Sequence, residues 1–245
     1  MKRIQFLCGV AAIALLSAAA PAAAAGLING SFEQPATVTT IALHAANPAQ
    51  ASFITGWTVV DTTADGDDDV QYFNNSAYGA VGVVGTDGAY LLDLTGDTGR
   101  GKGVASDLIG VSSGTAYRVG FDVGAFFVAG YGSFGDATVD LLVNDVLAGS
   151  FTNTMSLSSA GSDWQRFSYD FVASGPTAKL TFLSSTALTS SNLGVGLDNV
   201  TFETLGEGVP EPASWMLMLM GFGGLGALLR SNRRQTMGSC GVTPR

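Results

Sequence analysis

Cysteine and histidine are almost missing from this 245-residue chain, which holds two cysteines, Cys8 and Cys240, and one histidine, His44. Both cysteines fall in terminal stretches that read as removable. The domain between them is therefore left without a disulfide framework or a thiol nucleophile, and a zinc centre of several Cys and His ligands is excluded. Positive charge is scarce too. Between residues 26 and 208, five Lys and Arg face nineteen Asp and Glu, a net charge of −14, against −9 for the whole chain. Such a surface repels nucleic acid and anionic lipid, and suits cations or neutral partners. Helical periodicity is the third absence. No stretch of the central domain sustains an apolar repeat of about 3.6 residues, which excludes a helical bundle.

What is present begins with two addresses. Lys2 and Arg3 precede an apolar segment from Ile4 to Leu16 and an alanine-rich stretch ending at Ala25, with several Ala-x-Ala cleavage options. Residues 1–25 thus read as a Sec-type signal peptide. At the other end, Pro210-Glu211-Pro212 precedes an apolar run from Ala213 to Leu229 and a basic cluster of Arg230, Arg233 and Arg234. Seventeen residues rise about 25 Å as a helix, against a hydrocarbon core of about 30 Å. A span that short suits a temporary anchor, and the arginines after it belong on the cytoplasmic side.

This order of parts, with Trp215 and Gly221, Gly223, Gly224 and Gly226 in the run, resembles the PEP-CTERM sorting signal of Gram-negative bacteria. The resemblance implies export, brief anchoring in the inner membrane, cleavage near Pro-Glu-Pro by an exosortase, and delivery to the cell surface or its polysaccharide matrix. The same tail is similar to the ice-binding protein C-terminal domain, but no regular Thr-x-Thr ladder for an ice plane is visible. Residues 235–245 extend past the arginines as a cytoplasmic tail, where the family usually stops.

Residues 26–203 read as one all-β domain, followed by a linker over 204–212. Short apolar runs alternate with Gly, Asn, Asp and Ser clusters. Strands are expected at 26–33, 53–60, 70–73, 80–84, 89–94, 104–109, 116–127, 137–143, 146–151, 164–172, 178–183 and 196–204. Tyr117, Val119, Phe121 and Val123 alternate with small or polar residues, so one face packs. Asn144-Asp145 predicts a tight hairpin turn, because both residues tolerate positive φ. The pieces LINGSFEQP, GW at Gly56-Trp57, AYLLDLTG, TAYRVGFDV, DWQRFSYDF and GLDNVTF come in the order found in galactose-binding-like sandwiches. The chain is similar to the bacterial choice-of-anchor members of that group. The resemblance implies a jelly-roll sandwich and a carbohydrate-facing role. The expected whole is that sandwich, flanked by an N-terminal signal helix and a C-terminal transmembrane helix.

Within the resemblance, Glu33 and Asp198 occupy acidic motif positions that hold a structural Ca²⁺ in related sandwiches, with backbone carbonyls completing the shell. The alternative is a pair of ordinary turn or edge carboxylates. Asp65, Asp67 and Asp69 have the spacing of an EF-hand loop, but Val70 stands where glycine is needed and Ser76 where glutamate is. A solvated acidic loop is the expectation there. Tyr131, Phe134, Tyr72 and Tyr78 lie in or beside polar, glycine-rich stretches and are candidates for stacking on sugar faces. They could equally cap the core under loops. The expected function is non-enzymatic binding or organisation of extracellular polysaccharide. A polysaccharide-acting hydrolase and a purely structural adhesion protein are the alternatives.

Overall fold

The computed structural model describes residues 26–205, apart from 38–39, 64–68, 79–81, 97–99, 129–131, 134–135, 155–159 and 187–193, together with Met220 and Phe222. The signal segment, the Pro-Glu-Pro linker, the anchor at 213–234 and the tail lie outside these residues, as do Tyr131 and Phe134. Among the described residues no helix is long and apolar enough to cross a membrane.

In chain order the elements are β1 (Ile41–Leu43), α1 (Pro48–Ala51), β2 (Trp57–Asp61), β3 (Val70–Asn74), α2 (Asn75–Tyr78), β4 (Tyr90–Asp93) and β5 (Lys102–Ser106). There follow β6 (Ile109–Gly110), β7 (Ala116–Val128), β8 (Gly132–Ser133), β9 (Ala137–Val143) and β10 (Val146–Asn153). The last are β11 (Gly161–Val172), β12 (Thr177–Ala178), β13 (Leu180–Ser184) and β14 (Val195–Thr204). One sheet runs β1-β3-β4-β14-β7-β11, with β8 on β7; a second runs β10-β9-β13-β5-β2; β12 and β6 form a short ladder apart. The expected sandwich is what forms.

Alternation decides which face is core. On β7, Tyr117, Val119, Phe121, Val123 and Ala125 are buried in the main cluster, together with Val139 and Leu141 of β9, Leu180 and Phe182 of β13, and Val195 and Leu197 of β14. Arg118, Gly120, Asp122 and Gly124 point the other way. Aromatic rings bridge the layers: Phe121 meets Phe182 and Phe151, each with centroids 5.0 Å apart, and Trp57 lies 5.1 Å from Phe32 and 6.1 Å from Phe182. The β9–β10 turn has Asn144 at φ 52° and Asp145 at φ 65°, both left-handed, as a two-residue hairpin requires.

Three expectations are corrected. Residues 26–33 form turns, not a strand: Phe32 N bonds to Asn29 O, and Asn29 Nδ2 reaches Gln34 O and Thr55 O at 2.7 and 3.0 Å. This segment lies against β14 through Val200 N–H to Gly30 O at 2.9 Å. A Cβ at Gly30 would sit 1.9 Å from Val200 O, so only glycine permits the approach. Residues 82–84 of the strand expected at 80–84 are turn and irregular chain, not strand. Asp69 is not in a solvated loop. It is 3% exposed and stands 3.4 Å from the fully buried Lys102 ammonium, because two opposite charges must enter the interior together.

Phe121 touches both layers, so its loss leaves a cavity that neither sheet can close alone. Phe121→Ala should lower stability by about 3–5 kcal/mol in urea unfolding. Val146→Ala, at the exposed start of β10, should stay within about 0.5 kcal/mol.

Candidate functional site

The site is built on an irregularity in β14. The ladder with β7 runs from Val195↔Ala125 to Asp198↔Asp122, then resumes at Thr201↔Gly120. The residues between form a bulge, with Asn199 at φ 51°. Its effect is to re-aim side chains. Leu197, Val200 and Phe202 all face the core side, while Asp198 and Thr201 both face outward. Arg166 on β11 grips the bulge. Its Nη1 donates to Asn199 O at 2.6 Å and to Asp122 Oδ1 at 3.2 Å, and its Nη2 donates to Thr201 Oγ1 at 2.8 Å.

Over this outer face folds the segment that precedes β4. Asp198 Oδ2 accepts Thr86 N–H at 2.6 Å and Asp87 N–H at 3.0 Å; its Oδ1 accepts Asn199 N–H. Asp122 Oδ2 accepts the Thr86 hydroxyl at 2.7 Å and Asn199 Nδ2 at 3.1 Å. Glu33 Oε1 accepts both Ala89 N–H and Tyr90 N–H, at 2.8 and 2.9 Å. Ser31 Oγ donates to Asp87 Oδ2 at 2.6 Å. Gly88, at φ 75°, passes so close to Glu33 that a Cβ would meet Oε1 at 2.3 Å. Three carboxylates thus clasp one loop, residues 85–90. At its upstream edge Trp164 Nε1 donates to Val84 O at 2.8 Å. That indole lies where Cβ atoms at Gly124 or Gly196 would be, 2.7 Å away, and meets Phe126 edge-on at 5.8 Å.

The structure brings Glu33 and Asp198 to one loop, each spending a carboxylate oxygen on two backbone N–H groups. Burial pushes the Asp198 carboxyl up to about 6, although hydrogen bonds from Asp87, Asn199 and Thr86 oppose the shift. Among the described residues no three Asp, Glu, His or Cys side chains converge as a metal shell. A cation here would need main-chain carbonyls beside Glu33 and Asp198, and hard oxygen donors of that mixture are what Ca²⁺ takes.

The aromatic candidates fare differently. Tyr72 is fully buried. It stacks on Tyr90 at 4.9 Å, and its hydroxyl donates to Phe32 O and Pro35 O at 2.6 and 3.0 Å. Burial raises its phenol well above the usual range. It shares the core face with Val70, so it is withdrawn as a sugar-stacking ring. Tyr78 closes α2, with its side chain outside the description; Tyr131 and Phe134 lie outside entirely. Sequence reasoning missed Asp122, Arg166, Thr86 and Trp164. One signal was available: in LDNVTF the apolar spacing changes from three to two, which is the mark of a bulge. A nucleophile-elbow spacing also exists at Gly110-Val111-Ser112-Ser113-Gly114. It joins β6 to β7 with no helix after it, so Ser112 does not stand at a strand-to-helix elbow.

An all-β sandwich with a clasped outer face, followed by a sorting tail, defines the class. Residues 208–234 match the PEP-CTERM protein-sorting motif, which takes in Pro210, Glu211, Pro212, Trp215, Arg230, Arg233 and Arg234 and marks the chain for export with a transient membrane anchor. Residues 23–203 match the HpiC1-like family, described as HpiC1 cyclase, and the chain belongs to that family. No curated protein matches it in sequence. Among solved structures, the Stig cyclase Fisc from Fischerella sp. TAU, in complex with (3Z)-3-(1-methyl-2-pyrrolidinylidene)-3H-indole, is 17% identical. It has a TM-score of 0.51 over 74% of this chain and 98% of that one. An apo form cyclase from Fischerella sp. is 16% identical, with a TM-score of 0.52 over 74% and 96% of the two chains. A CBM4 structure is 16% identical over 73% and 99%, with a TM-score of 0.39. The likeness to the Fischerella cyclases is one of fold.

One further carboxyl lies on the same face of the sheet, beside Gly196. Asp93 is fully buried: its Oδ1 accepts Thr95 N–H and the Thr95 hydroxyl, and its Oδ2 has no hydrogen-bond partner among the described residues. Desolvation raises it to about 6, from about 3.9 in an unfolded chain. The folded state therefore holds the extra proton between those values. Its stabilisation is present at low pH and is lost as pH rises through about 6. Relative to Asp93→Asn, the wild-type chain should gain about 2 kcal/mol between pH 7 and pH 4 in urea unfolding. A constant difference across that range would mean that Asp93 is ionised in the fold.

Proposed function

We propose that the exported domain works at the cell surface or in its extracellular matrix as a non-enzymatic sandwich that binds or organises polysaccharide. The observation that carries this reading is the sorting motif at 208–234, joined directly to a sandwich of strongly acidic surface. A protein delivered into a polysaccharide matrix meets neutral and hydroxyl-rich partners first. A surface of Asp, Asn, Ser and Thr offers them hydrogen bonds while repelling anions. On this reading the leader is removed on export through Sec, and an exosortase removes the tail. Released protein should lack the first 23 to 25 residues and everything past about Pro212 by intact mass. A stable released form that still carries Trp215 would sink the processing step. Binding on a glycan array, without reducing-sugar release from the same glycans, is the outcome expected of the domain. Release of reducing sugar would instead favour a hydrolase.

Calcium is the structural ion of this reading, held by Glu33 and Asp198 beside main-chain carbonyls. Its chemistry would be charge neutralisation where carboxylates crowd one loop. An ion that binds only the folded state adds about 2.7 kcal/mol at a hundredfold excess over Kd. For a domain of this size that raises melting by about 5–10 °C, at about 2–4 °C per kcal/mol. Glu33→Ala and Asp198→Ala should each abolish the shift between calcium and chelator, and Asp67→Ala should leave it intact. Identical melting of the wild-type chain in the two buffers removes the ion from the reading.

A second reading comes from the family itself. The match over 23–203 spans nearly the whole sandwich and favours a cyclase, and the indole compound bound in the Fischerella structure suggests a small aromatic substrate. Turnover of an indole compound of the kind bound in the Fischerella structure, with no glycan bound, would decide for it.

A further inference from the structure

Six large aliphatic side chains of the domain stand exposed among the described residues: Val146 at 70%, Leu108 at 66%, Val172 at 64%, Leu147 at 59%, Ile28 at 50% and Val84 at 42%. Val84 lies just ahead of the clasped loop, beside Trp164. The registers place the other five at one end of the sandwich. Val172 closes β11 opposite Ala116, where β7 begins. Val146 opens β10 opposite Val143, and Leu147 stands opposite Leu142. Val143 pairs with Leu180 at the start of β13, and Trp57 at the start of β2 pairs with Ser106 at the end of β5. Leu108 follows that end of β5, and Ile28 would touch a Cβ at Gly56, just ahead of β2. Ser112 N–H to the Tyr117 hydroxyl holds the β6–β7 connection against the start of β7 there. Toward the opposite end, which holds the buried Lys102–Asp69 pair, the large exposed aliphatic among the described residues is Val84 alone, bonded to Ser162 at the start of β11.

The chain leaves the domain at the same end. Leu205 N–H bonds to Ala116 O as β14 finishes. Residues 205–212 then lead to the apolar run that begins at Ala213. Fully extended, that linker reaches about 29 Å. Scattered exposed aliphatics are ordinary on any surface. Five gathered around the exit toward an anchor are not scattered.

We propose that this end of the sandwich rests on the membrane surface while the tail is inserted, with Ile28, Leu108, Val146, Leu147 and Val172 entering the headgroup boundary. The proposal rests on reading the tail as an anchor. The tether supplies what five side chains lack, since a short linker holds the domain at a millimolar effective concentration over the bilayer. Aliphatic side chains enter that boundary to a depth of about 5–10 Å. The cations of this end are already engaged: Lys179 with Asp145 at 2.7 Å and Arg118 with Asp170 at 2.7 Å. Anionic headgroups would therefore gain little, and neutral lipid is the partner. Once the linker is cut, the contact loses its tether and releases.

The test uses the full chain with Cys8→Ser and Cys240→Ser, reconstituted in phosphatidylcholine vesicles that carry a headgroup-level nitroxide lipid. A fluorophore is attached after Val146→Cys, Leu108→Cys or Asp136→Cys, the last being an exposed residue at the opposite end, just ahead of β9. The proposal expects loss of fluorescence at positions 146 and 108 and none at 136. Equal signals at the three positions in an anchored chain overturn it. Shielding of positions 146 and 108 from aqueous iodide, without quenching by the lipid, overturns it in favour of a second copy of the chain. A chain that washes off the vesicles fails the anchor reading itself, and the proposal falls with it.

Discussion

Everything on the outer face of the larger sheet depends on Asp198 and Thr201 facing the same way. An unbroken strand would turn every second residue outward, and three steps would put these two on opposite faces. The bulge at Asn199 removes that conflict. It lets Leu197, Val200 and Phe202 fill the core without a gap while the polar pair remains available to Arg166 and to the loop at residues 85–90. It also frees Val200 N–H from the sheet, and that donor receives the N-terminal segment through Gly30. The entry of the domain, its last strand and the clasp are thus fixed by one local departure from regular pairing.

The domain also buries charge to an unusual degree. Asp93, Asp198 and Lys102 are fully covered, and Asp69 and Asp122 nearly so. Each such group costs several kcal/mol to desolvate, and its partners must offset that cost. The compensation differs by site. Asp198 and Glu33 rely on backbone N–H groups, Asp122 on Arg166, and Lys102 on Asp69. Asp93 has Thr95 for one oxygen only, and so moves toward its neutral form. In a chain with so few cations, backbone amides do the work that salt bridges do elsewhere.

The architecture was legible because its strands alternate strongly. Residues 137–143 were expected as a strand and are β9, and Asn144-Asp145 makes the turn its chemistry predicts. The turn-rich start was not legible, because Leu27, Ile28 and Phe32 look like strand residues until the anchoring role of Asn29 and Gly30 is known. Tyr72 was misread from its polar neighbours, when its spacing from Val70 already placed it on the core side. Motif order singled out Glu33 and Asp198 together, and the structure sets both against one loop. What links them, a loop some fifty residues away from the first and over a hundred from the second, leaves no local trace in sequence. Arg166 was hidden for the same reason: its partners lie on two other strands.

The position of β14 has a consequence for how the protein is made. This last strand of the domain is not at an edge; it lies between β4 and β7, in the middle of its sheet. Until residues 195–204 arrive, β4 and β7 have no common neighbour, and the core lacks Val195, Leu197 and Val200. A chain that crosses a membrane N-terminus first therefore cannot complete its larger sheet while threading. Pairing partners so far apart in sequence also close slowly. Folding is deferred until nearly the whole domain has emerged, with only the sorting tail still behind it.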